Sequence, residues 1–278
     1  MRVLIVGANG QLGSDVCSAY ARAGHEVAAV NHSDLDIRDP AAVRRTLESV
    51  APQLVVNTAA MHNVESCEAD PAMAFAVNAI AVRTLAQASR ELDFAIAHVS
   101  TDYVFRGDKR APYVESDPAL PVKVYGNSKL SGEHFLQSIA PRHFVVRTSA
   151  LFGLAPCRAK PTGNFVQVML KLARERGEVR VVDDEVVSPT YTADLAEQIV
   201  HLTAKGKPGI YHATSQGAVS WYDYAKAVFE IAGLTVRMLR ASTTDFAQKT
   251  ARPAYSVLEN AALRAQGIDI MPPWRDAV

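Results

Sequence analysis

The sequence predicts an α/β protein of the Rossmann type, with a doubly wound parallel sheet and a smaller C-terminal region. Three observations predict this fold. Short apolar runs alternate with amphipathic helices, a glycine-rich turn joins the first run to the first helix, and the alternation changes after about residue 148. Continuous apolar runs separated by helices are typical of parallel strands that are covered on both faces.

The first half of the chain contains the regular alternation. Its apolar runs predict strands at Arg2–Val6, Val27–Val30, Leu54–Asn57, Ala95–Val99 and His143–Arg147. Apolar residues at helical spacing predict helices at Gln11–Arg22, Ala41–Val50, Ala72–Leu92 and Tyr125–Ile139. In the first helix, for example, Leu12, Val16 and Tyr20 share one face and Gly24 ends the pattern.

The second half is less regular. A segment rich in proline, glycine and lysine at Leu151–Gly163 predicts a loop. Beyond it we expect helices at Asn164–Arg176, Ala193–Leu202 and Trp221–Ile231, and short strands at Val179–Val182 and Ile210–His212. The C-terminal tail is expected to be rich in loops.

Composition excludes several classes of protein. The chain has 278 residues, 49% of them apolar and 21% charged, with a formal net charge of zero. A neutral chain has no basic face for nucleic acid or an anionic membrane, and no apolar run approaches the ~20 residues of a membrane span. Cys17, Cys67 and Cys157 are too widely spaced for a disulfide framework or a metal pair. We therefore expect a cytoplasmic protein without a bound metal.

The glycine-rich turn contains Gly7, Gly10 and Gly13, placed where a strand passes into a helix. Glycine allows the backbone to approach a pyrophosphate, and the N-terminus of the helix offers unpaired N–H groups to its charge. Residues 1–148 are therefore expected to form an NAD(P)-binding domain, completed by part of 190–212. Residues 149–278 are expected to be mainly a substrate-binding region.

The end of the second strand bears on the choice of cofactor. An acidic residue there would bind the 2′-hydroxyl of NAD, but this chain has Asn31, His32 and Ser33. The lack of an acid favours NADP(H) over NAD(H). Both remain open, because no arginine stands at the strand end either.

Tyr125 and Lys129 lie one helical turn apart, and Thr101 stands at the end of the fourth strand. A ketone accepts hydride readily only when its oxygen receives a proton or strong hydrogen bonds. At ~4 Å and an effective dielectric constant of about 20, the Lys129 ammonium would contribute roughly 4 kcal/mol and lower the pKa of Tyr125 toward neutrality. We therefore expect Tyr125 to be an acid, Lys129 to tune it and Thr101 to bind the carbonyl.

Several motifs resemble the dTDP-4-dehydrorhamnose reductase family, a branch of the extended short-chain dehydrogenase/reductases. They are Ser100–Phe105, Val124–Glu133, Arg147–Ser149, Ser188–Thr190, Gly209–His212 and Trp221–Ala225. The resemblance implies reduction of the 4-keto group of a nucleotide-linked 6-deoxysugar by NAD(P)H, in the synthesis of deoxysugar or polysaccharide precursors. It leaves a homodimer open.

With the residues above, the resemblance gives a full set of expected site positions. Those for the cofactor are Gly7, Gly10, Gln11, Leu12, Gly13, Asn31, His32, Ser33, Asp36, Ile37, Ala59, Ala60, Met61, Ser100, Tyr125 and Lys129. Those for the substrate are Thr101, Asp102, Asn164 and Arg252.

Some positions depart from the family pattern. Tyr103 stands where nucleotide-sugar dehydratases have an acid, which favours reduction over elimination. Ala150, Glu185, Val187 and Val257 replace residues that are usual in the reductases, so the nucleotide and the sugar stay open. Two alternatives follow: a reductase or epimerase of another nucleotide sugar, and a non-catalytic NADP-binding subunit resembling the regulatory partner of methionine adenosyltransferase.

Overall fold

The structure is a computed structural model that describes residues 1–156, 162–246 and 252–278. Cys157 lies outside the described residues, as does part of the expected loop at 151–163.

The strands and helices follow one another in the order expected for an α/β fold. The strands are β1 (Arg2–Val6), β2 (Glu26–Val30), β3 (Leu54–Asn57), β4 (Ala95–Thr101), β5 (His143–Thr148), β6 (Leu151–Phe152), β7 (Glu178–Val182), β8 (Val186–Val187), β9 (Thr190–Tyr191), β10 (Gly209–His212), β11 (Val219–Ser220) and β12 (Arg237–Ala241). The α-helices are α1 (Gln11–Arg22), α2 (Pro40–Val50), α3 (Val64–Ala69), α4 (Pro71–Phe75), α5 (Ala81–Leu92), α6 (Val124–Ile139), α7 (Phe165–Arg176), α8 (Thr192–Lys205), α9 (Trp221–Ile231), α10 (Ala261–Ala265) and α11 (Trp274–Ala277).

Within the described residues the central sheet has six strands in the order β10-β5-β4-β3-β1-β2. All of its pairings are parallel. The chain moves outward from β1 to β2 and then returns to build the other half of the sheet from β3. The order therefore reverses between β1 and β3, and ligands of open α/β sheets bind at such a point. The predicted Rossmann-type fold is confirmed.

Helices cover both faces of this sheet, and each face has its own apolar core. One core joins α1 and α8 to the sheet through residues such as Val16, Tyr20 and Ile199. The other includes Leu85 of α5 and Leu136 of α6. Since the strands are apolar on both faces, their carboxyl ends are held rigidly where the glycine turn and Thr101 lie.

The predicted helix at 72–92 is interrupted. A π-helical turn at Ala76–Ile80 separates α4 from α5 and contains the buried Asn78. The Asn78 amide donates to Met61 O at 2.8 Å and to Ser128 Oγ at 3.0 Å, while its oxygen accepts from Met61 N at 2.9 Å. The extra residue of a π turn aims this side chain at the loop after β3, and π turns often mark functional sites.

The C-terminal region has a third apolar core between α7, α9 and β7, centred on Tyr224. Its tail is less loop-rich than the sequence suggested, because β12 pairs in parallel with β7. That strand was missed because Arg237 and Arg240 break its apolar pattern. The proposed boundary at residue 148 stays a prediction, although β10 does pair with β5 in the central sheet.

In the described part of the chain, no helix combines the length and apolar character needed to cross a membrane.

Candidate active site

The glycine turn is tightly packed between β1 and α1. A Cβ at Gly13 would lie 2.2 Å from Gly7 O, and a Cβ at Gly7 would lie 2.9 Å from Ala59 N. Gly7 also has a positive φ of 83°, which favours glycine. The first turn of α1 contains no acidic residue, and Gly10 at its N-cap makes no side-chain capping bond. Its N–H groups are thus oriented for an anion.

Other expected cofactor residues follow the glycine turn directly. Gln11 Nε2 donates to Gly153 O at 3.3 Å and to Ala155 O at 3.1 Å, which connects the turn with the segment after β6. Leu12 is buried in the core below. Gln11 therefore stands at the entrance, whereas Leu12 anchors the helix.

The end of β2 forms a compact polar turn. Asn31 Oδ1 accepts from Ser33 N at 3.0 Å and Ser33 Oγ at 2.6 Å, and His32 is exposed beside it. Asp36 pairs with Arg38 at 2.6 Å, and this pairing lowers the pKa of Asp36 to about 2. Arg38 follows this turn along the chain, and its guanidinium contacts Asp36 and Met73 Sδ. Ile37 is buried, so only its backbone can face a ligand.

The loop after β3 carries Ala59, Ala60 and Met61, all partly exposed. Asn57 Oδ1 accepts from Ala59 N at 3.1 Å, and Asn78 binds both backbone groups of Met61. Two buried amides thus fix this loop beside the glycine turn. Neither was expected from the sequence, because buried asparagines have no motif of their own.

The carboxyl end of β4 carries Ser100, Thr101 and Asp102, all buried. Thr101 Oγ1 donates to Asp102 Oδ1 at 3.0 Å, and Ser149 Oγ donates to Asp102 Oδ2 at 2.8 Å. Burial raises the pKa of Asp102, while hydrogen bonds from Ser256, Ser149 and Thr101 act in the opposite direction. Asp102 therefore fixes the rotamer of Thr101.

Tyr125 comes from the first turn of α6 and reaches Thr101. Desolvation raises the pKa of Tyr125, and the hydrogen bond with Thr101 acts in the opposite direction. We expected Lys129 to lower this pKa, and the structure gives the opposite direction, since burial is the dominant cause. The phenol is therefore held protonated, which is the form that an acid needs.

Lys129 is 1% exposed, and its amino group is bound by residues of β4. Its Nζ donates to Val99 O at 2.7 Å and lies 3.0 Å from His98 Nε2. Burial lowers the pKa of Lys129 to about 7, and the charge of Glu133 acts in the opposite direction. From the sequence we expected a permanent ammonium at Lys129, because residue spacing does not show that the side chain is enclosed.

Tyr103 lies near the expected substrate residues Thr101 and Asp102, and its ring meets the Tyr125 ring edge-on at 5.6 Å between centroids. The charges of Arg252 and Glu185 both act on the pKa of Tyr103, which burial raises. Glu185 is buried; its Oε2 accepts from Trp221 Nε1 at 3.1 Å and its Oε1 has no partner among the described residues. Arg252 and Glu185 are thus near enough to Tyr103 for their charges to act on it, and Arg252 also pairs with Glu65 at 3.7 Å.

Asn164 makes mainly structural hydrogen bonds. Its Oδ1 accepts from Gln167 N at 3.1 Å as the cap of α7, and its Nδ2 donates to Gly153 O at 2.8 Å. These bonds give the side chain a structural task at the mouth of the cleft and leave one amide hydrogen for a ligand.

The comparisons with known proteins agree with this geometry. The family described as RmlD substrate binding domain matches residues 1–278. The chain belongs to this family. Among relatives, the spore coat polysaccharide biosynthesis protein SpsK of Bacillus subtilis (strain 168) is 40% identical, with 100% of this chain and 95% of that protein covered.

Two solved structures are also similar over the whole fold. A dTDP-4-dehydrorhamnose reductase from Clostridium acetobutylicum ATCC 824 has a TM-score of 0.95 and 36% identity, covering 100% of this chain and 96% of that one. The same enzyme from Bacillus anthracis str. Ames, in complex with NADP, has a TM-score of 0.94 and 36% identity, covering 99% and 96%. The resemblance inferred from the motifs is confirmed.

Proposed function

We propose that this protein is an NADP(H)-dependent reductase of the 4-keto group of a nucleotide-linked 6-deoxysugar, of the dTDP-4-dehydrorhamnose reductase type. The observation that carries the proposal is the placement of Tyr125 beside Thr101, whose side chain acts on the pKa of the phenol. These two residues lie at the carboxyl edge of the sheet, where Thr101 ends β4 beside β3, and Lys129 follows Tyr125 one turn along α6. Relatives and similar structures with this activity in their names support it.

The residues of the glycine turn fit a dinucleotide. A Cβ at Gly13 would collide with Gly7 O, so glycine at this position lets α1 pack closely against the turn, as in dinucleotide-binding turns. Gly10 and Gln11 would face the phosphates, and Ala59, Ala60 and Met61 the middle of the cofactor. When bound, NADPH would supply the hydride.

The protein's own groups would handle the proton. As the carbonyl π electrons move onto oxygen, the Tyr125 phenol gives that oxygen its proton. Thr101 Oγ1 would turn its own proton from Asp102 Oδ1 to hold the same oxygen by a hydrogen bond. Proton transfer from a positioned acid such as this phenol typically increases the rate by about 10²–10⁴-fold. We expect Lys129 to steady Tyr125 and to bind the ribose. Asp102 positions Thr101, and Arg252 offers a cation to the nucleotide diphosphate.

The choice of NADPH over NADH rests on the end of β2. Asn31 and Ser33 are neutral there, so a 2′-phosphate meets no carboxylate, and Arg38 provides a nearby cation that Asp36 partly neutralises. The cytoplasmic location and the homodimer stay predictions.

The direct test supplies purified protein with NADPH and an enzymatically prepared dTDP-4-keto-6-deoxysugar. We expect NADPH oxidation that depends on the keto sugar, and a reduced C4 in the product by NMR. No oxidation with any keto sugar would contradict the proposal. NADP binding without turnover, with retention of a synthetase partner, would favour the regulatory subunit instead.

A different nucleotide sugar is the second candidate, and the sugar side of the cleft favours testing it. The buried carboxyl of Glu185 stands where related chains usually have an amide. Binding of dTDP, UDP and GDP can be compared by thermal shift, because a ligand that binds only the folded state raises its melting temperature. Preferential stabilisation by UDP or GDP would select this candidate. Epimerisation would appear as inversion without net cofactor use.

A further inference from the structure

Glu185 is a buried carboxyl group with only one of its two oxygens hydrogen-bonded. The residue is 4% exposed. Its Oε2 accepts from Trp221 Nε1 at 3.1 Å, whereas Oε1 is buried and has no hydrogen-bond partner among the described residues. A buried oxygen of this kind destabilises the folded protein. A ligand that donates a hydrogen bond to Oε1 would remove that cost.

Hydrogen bonds connect Glu185 to the strand end that carries the proposed site. The backbone oxygen of the next residue, Val186, accepts from Ser256 N at 2.9 Å. The side chain of Ser256 forms a hydrogen bond with Asp102. Asp102 in turn accepts from Thr101 Oγ1 at 3.0 Å. One short segment therefore joins Glu185 to the residues expected to bind the keto oxygen.

The surroundings of Tyr103 give a second link between Glu185 and the site. Burial raises the pKa of Tyr103, the charge of Arg252 lowers it and the charge of Glu185 raises it further. Both charges therefore lie near this phenol. The Tyr103 ring meets the Tyr125 ring at 5.6 Å between centroids. A sugar bound at Tyr125 would thus lie close to the neighbours of Tyr103, among them Glu185.

The chemistry of Glu185 restricts what its free oxygen can bind. Burial raises the pKa of Glu185, whereas the charge of Arg252 and the hydrogen bond from Trp221 act in the opposite direction and favour the carboxylate. A carboxylate accepts hydrogen bonds and has none to donate. The partner of Oε1 must therefore be a donor, which a hydroxyl group is and a carbonyl or ether oxygen is not.

We propose that Glu185 Oε1 accepts a hydrogen bond from a ring hydroxyl of the sugar, on C2 or C3, and so determines which sugars bind. The inference rests on the proposed function, which places C4 at Tyr125, the diphosphate on C1 and a methyl group at C6. C2 and C3 are then the ring positions that carry a hydroxyl. A sugar without this hydroxyl leaves the buried oxygen unpaired, and sites of this kind discriminate strongly against such analogues.

A side chain must move before a ligand reaches Oε1, because the atom is buried. Arg252 is free to do so: its side chain is 39% exposed, and its guanidinium lies 3.7 Å from Glu65, which is longer than a hydrogen bond. A diphosphate offers this guanidinium shorter, charge-assisted hydrogen bonds. Binding of the nucleotide would therefore draw Arg252 toward the phosphates and open the side of Glu185 that faces the sugar.

The test compares ligands that differ by one hydroxyl, using isothermal titration calorimetry in the presence of NADPH. The ligands are dTDP, dTDP-6-deoxyglucose and the 2-deoxy and 3-deoxy analogues of the latter, none of which has a keto group to reduce. With the unchanged protein, one deoxy analogue should bind about tenfold or more weakly than dTDP-6-deoxyglucose, because a hydrogen bond to a buried charged group is lost. Equal affinity for all three sugar nucleotides would overturn the proposal.

Glu185→Leu removes both oxygens and keeps a side chain of similar size. It should weaken the binding of dTDP-6-deoxyglucose about tenfold or more. Binding of dTDP should stay the same or become tighter, since dTDP has no sugar and the variant has one negative charge fewer. The preference for the hydroxyl should disappear. An equal loss for dTDP and for the sugar nucleotide, or a preference that persists, would overturn the proposal.

Glu185→Gln decides the matter if Glu185→Leu does not fold, because an amide oxygen can still accept from Trp221. A charge-assisted hydrogen bond is about twice as strong as a neutral one. The preference for the hydroxyl should therefore fall from about tenfold to about threefold, and an unchanged preference would overturn the proposal.

Asp184→Asn is the matched control. Asp184 precedes Glu185 in the chain, but it is exposed and its carboxylate is bound by Ser242 and Thr243. The control should keep the affinities of the unchanged protein. If its preference for the hydroxyl falls as far as that of Glu185→Gln, the effect is one of distant charge and the proposal is overturned.

Turnover separates this inference from the proposed function. If the hydroxyl preference is found but no keto sugar is reduced, the proposed function fails and the role of Glu185 in binding stands. If keto sugars are reduced and the preference is absent, the role of Glu185 fails alone.

Discussion

Glu133 on α6 and Arg147 on β5 form a buried, two-pronged ion pair. Glu133 Oε2 accepts from Arg147 Nη2 at 2.7 Å, and Arg147 Nε lies 3.1 Å from both carboxylate oxygens. Ser100 Oγ donates to Glu133 Oε1 at 2.5 Å. The pair therefore connects the helix that carries Tyr125 and Lys129 to the strand ends that carry Thr101.

Substitution of Glu133 by Gln should destabilise the protein strongly. It leaves the Arg147 charge buried without its counter-ion, a situation that costs about 3–5 kcal/mol. Urea unfolding measures this change in the free energy of unfolding. Glu48→Gln is the control, because Glu48 pairs with Arg44 on the exposed surface of α2, where such pairs contribute about 0–1 kcal/mol. Equal small losses in both variants would contradict the structural role.

Substitution of Tyr125 by Phe should remove the acid and keep the fold. We expect kcat to fall by about 10²–10⁴-fold while the dissociation constant of NADPH changes little, because only the hydroxyl is lost. Steady-state kinetics and a fluorescence titration with NADPH measure the two quantities. Tyr20→Phe removes a hydroxyl bound to Thr203 in α1 and α8 and should keep the rate. A Tyr125→Phe variant with near-normal kcat would exclude Tyr125 as the proton donor.

The sequence predicted the parts of this protein that depend on regular patterns. Apolar runs predicted the strands, and three glycines at a strand-to-helix turn predicted the cofactor-binding turn. Both patterns reflect local requirements of the backbone. Tyr125, Lys129 and Thr101 could be grouped because parallel strands end at one edge of the sheet.

What the sequence could not predict depends on three-dimensional enclosure. Asn57, His98 and Asn78 are isolated polar residues within apolar segments, and only the packed sheet brings each to its partner. The direction of the Tyr125 pKa was also wrong, because the cost of burying a phenol cannot be judged from residue spacing. β12 was missed for a related reason, since its arginines lie on a partly exposed strand.

The ionisation of Lys129 should make stability depend on pH. Its pKa is lowered from 10.5 to about 7 in the folded protein, so between these values the unfolded chain binds more protons than the folded one. Stability contributed by this group therefore increases as pH rises from about 7 to 10 and is lost as pH falls toward 7. In Lys129→Met this dependence should disappear, so the variant gains most relative to the unchanged protein near pH 7. Urea unfolding across this range measures the difference, and a difference that is constant with pH would contradict a neutral Lys129.

Substitution of Asn31 by Asp should change the cofactor preference toward NADH. A carboxylate keeps the hydrogen bonds that Asn31 Oδ1 accepts from Ser33, but it repels a 2′-phosphate and can bind a 2′-hydroxyl. We expect the ratio of kcat/KM for NADPH to that for NADH to fall about tenfold or more, which corresponds to about 1.4 kcal/mol. Asn31→Ala is the control, because it removes the hydrogen bonds of this turn without adding a charge. A preference that shifts equally in both variants would show that the charge is not responsible.

Two glycines of the same turn should respond differently to substitution by alanine. A Cβ at Gly13 would lie 2.2 Å from Gly7 O, so Gly13→Ala forces the backbone apart and should cost roughly 1–3 kcal/mol of stability as well as NADPH affinity. At Gly10 the nearest atom is 3.2 Å away and φ is −77°, which any residue can adopt. Gly10→Ala should therefore cost less stability than Gly13→Ala and still weaken NADPH binding, because its methyl group would occupy the space of the pyrophosphate. Urea unfolding measures the change in stability, and fluorescence titration measures the change in NADPH affinity. Unchanged NADPH affinity in Gly10→Ala would contradict a pyrophosphate site at this turn.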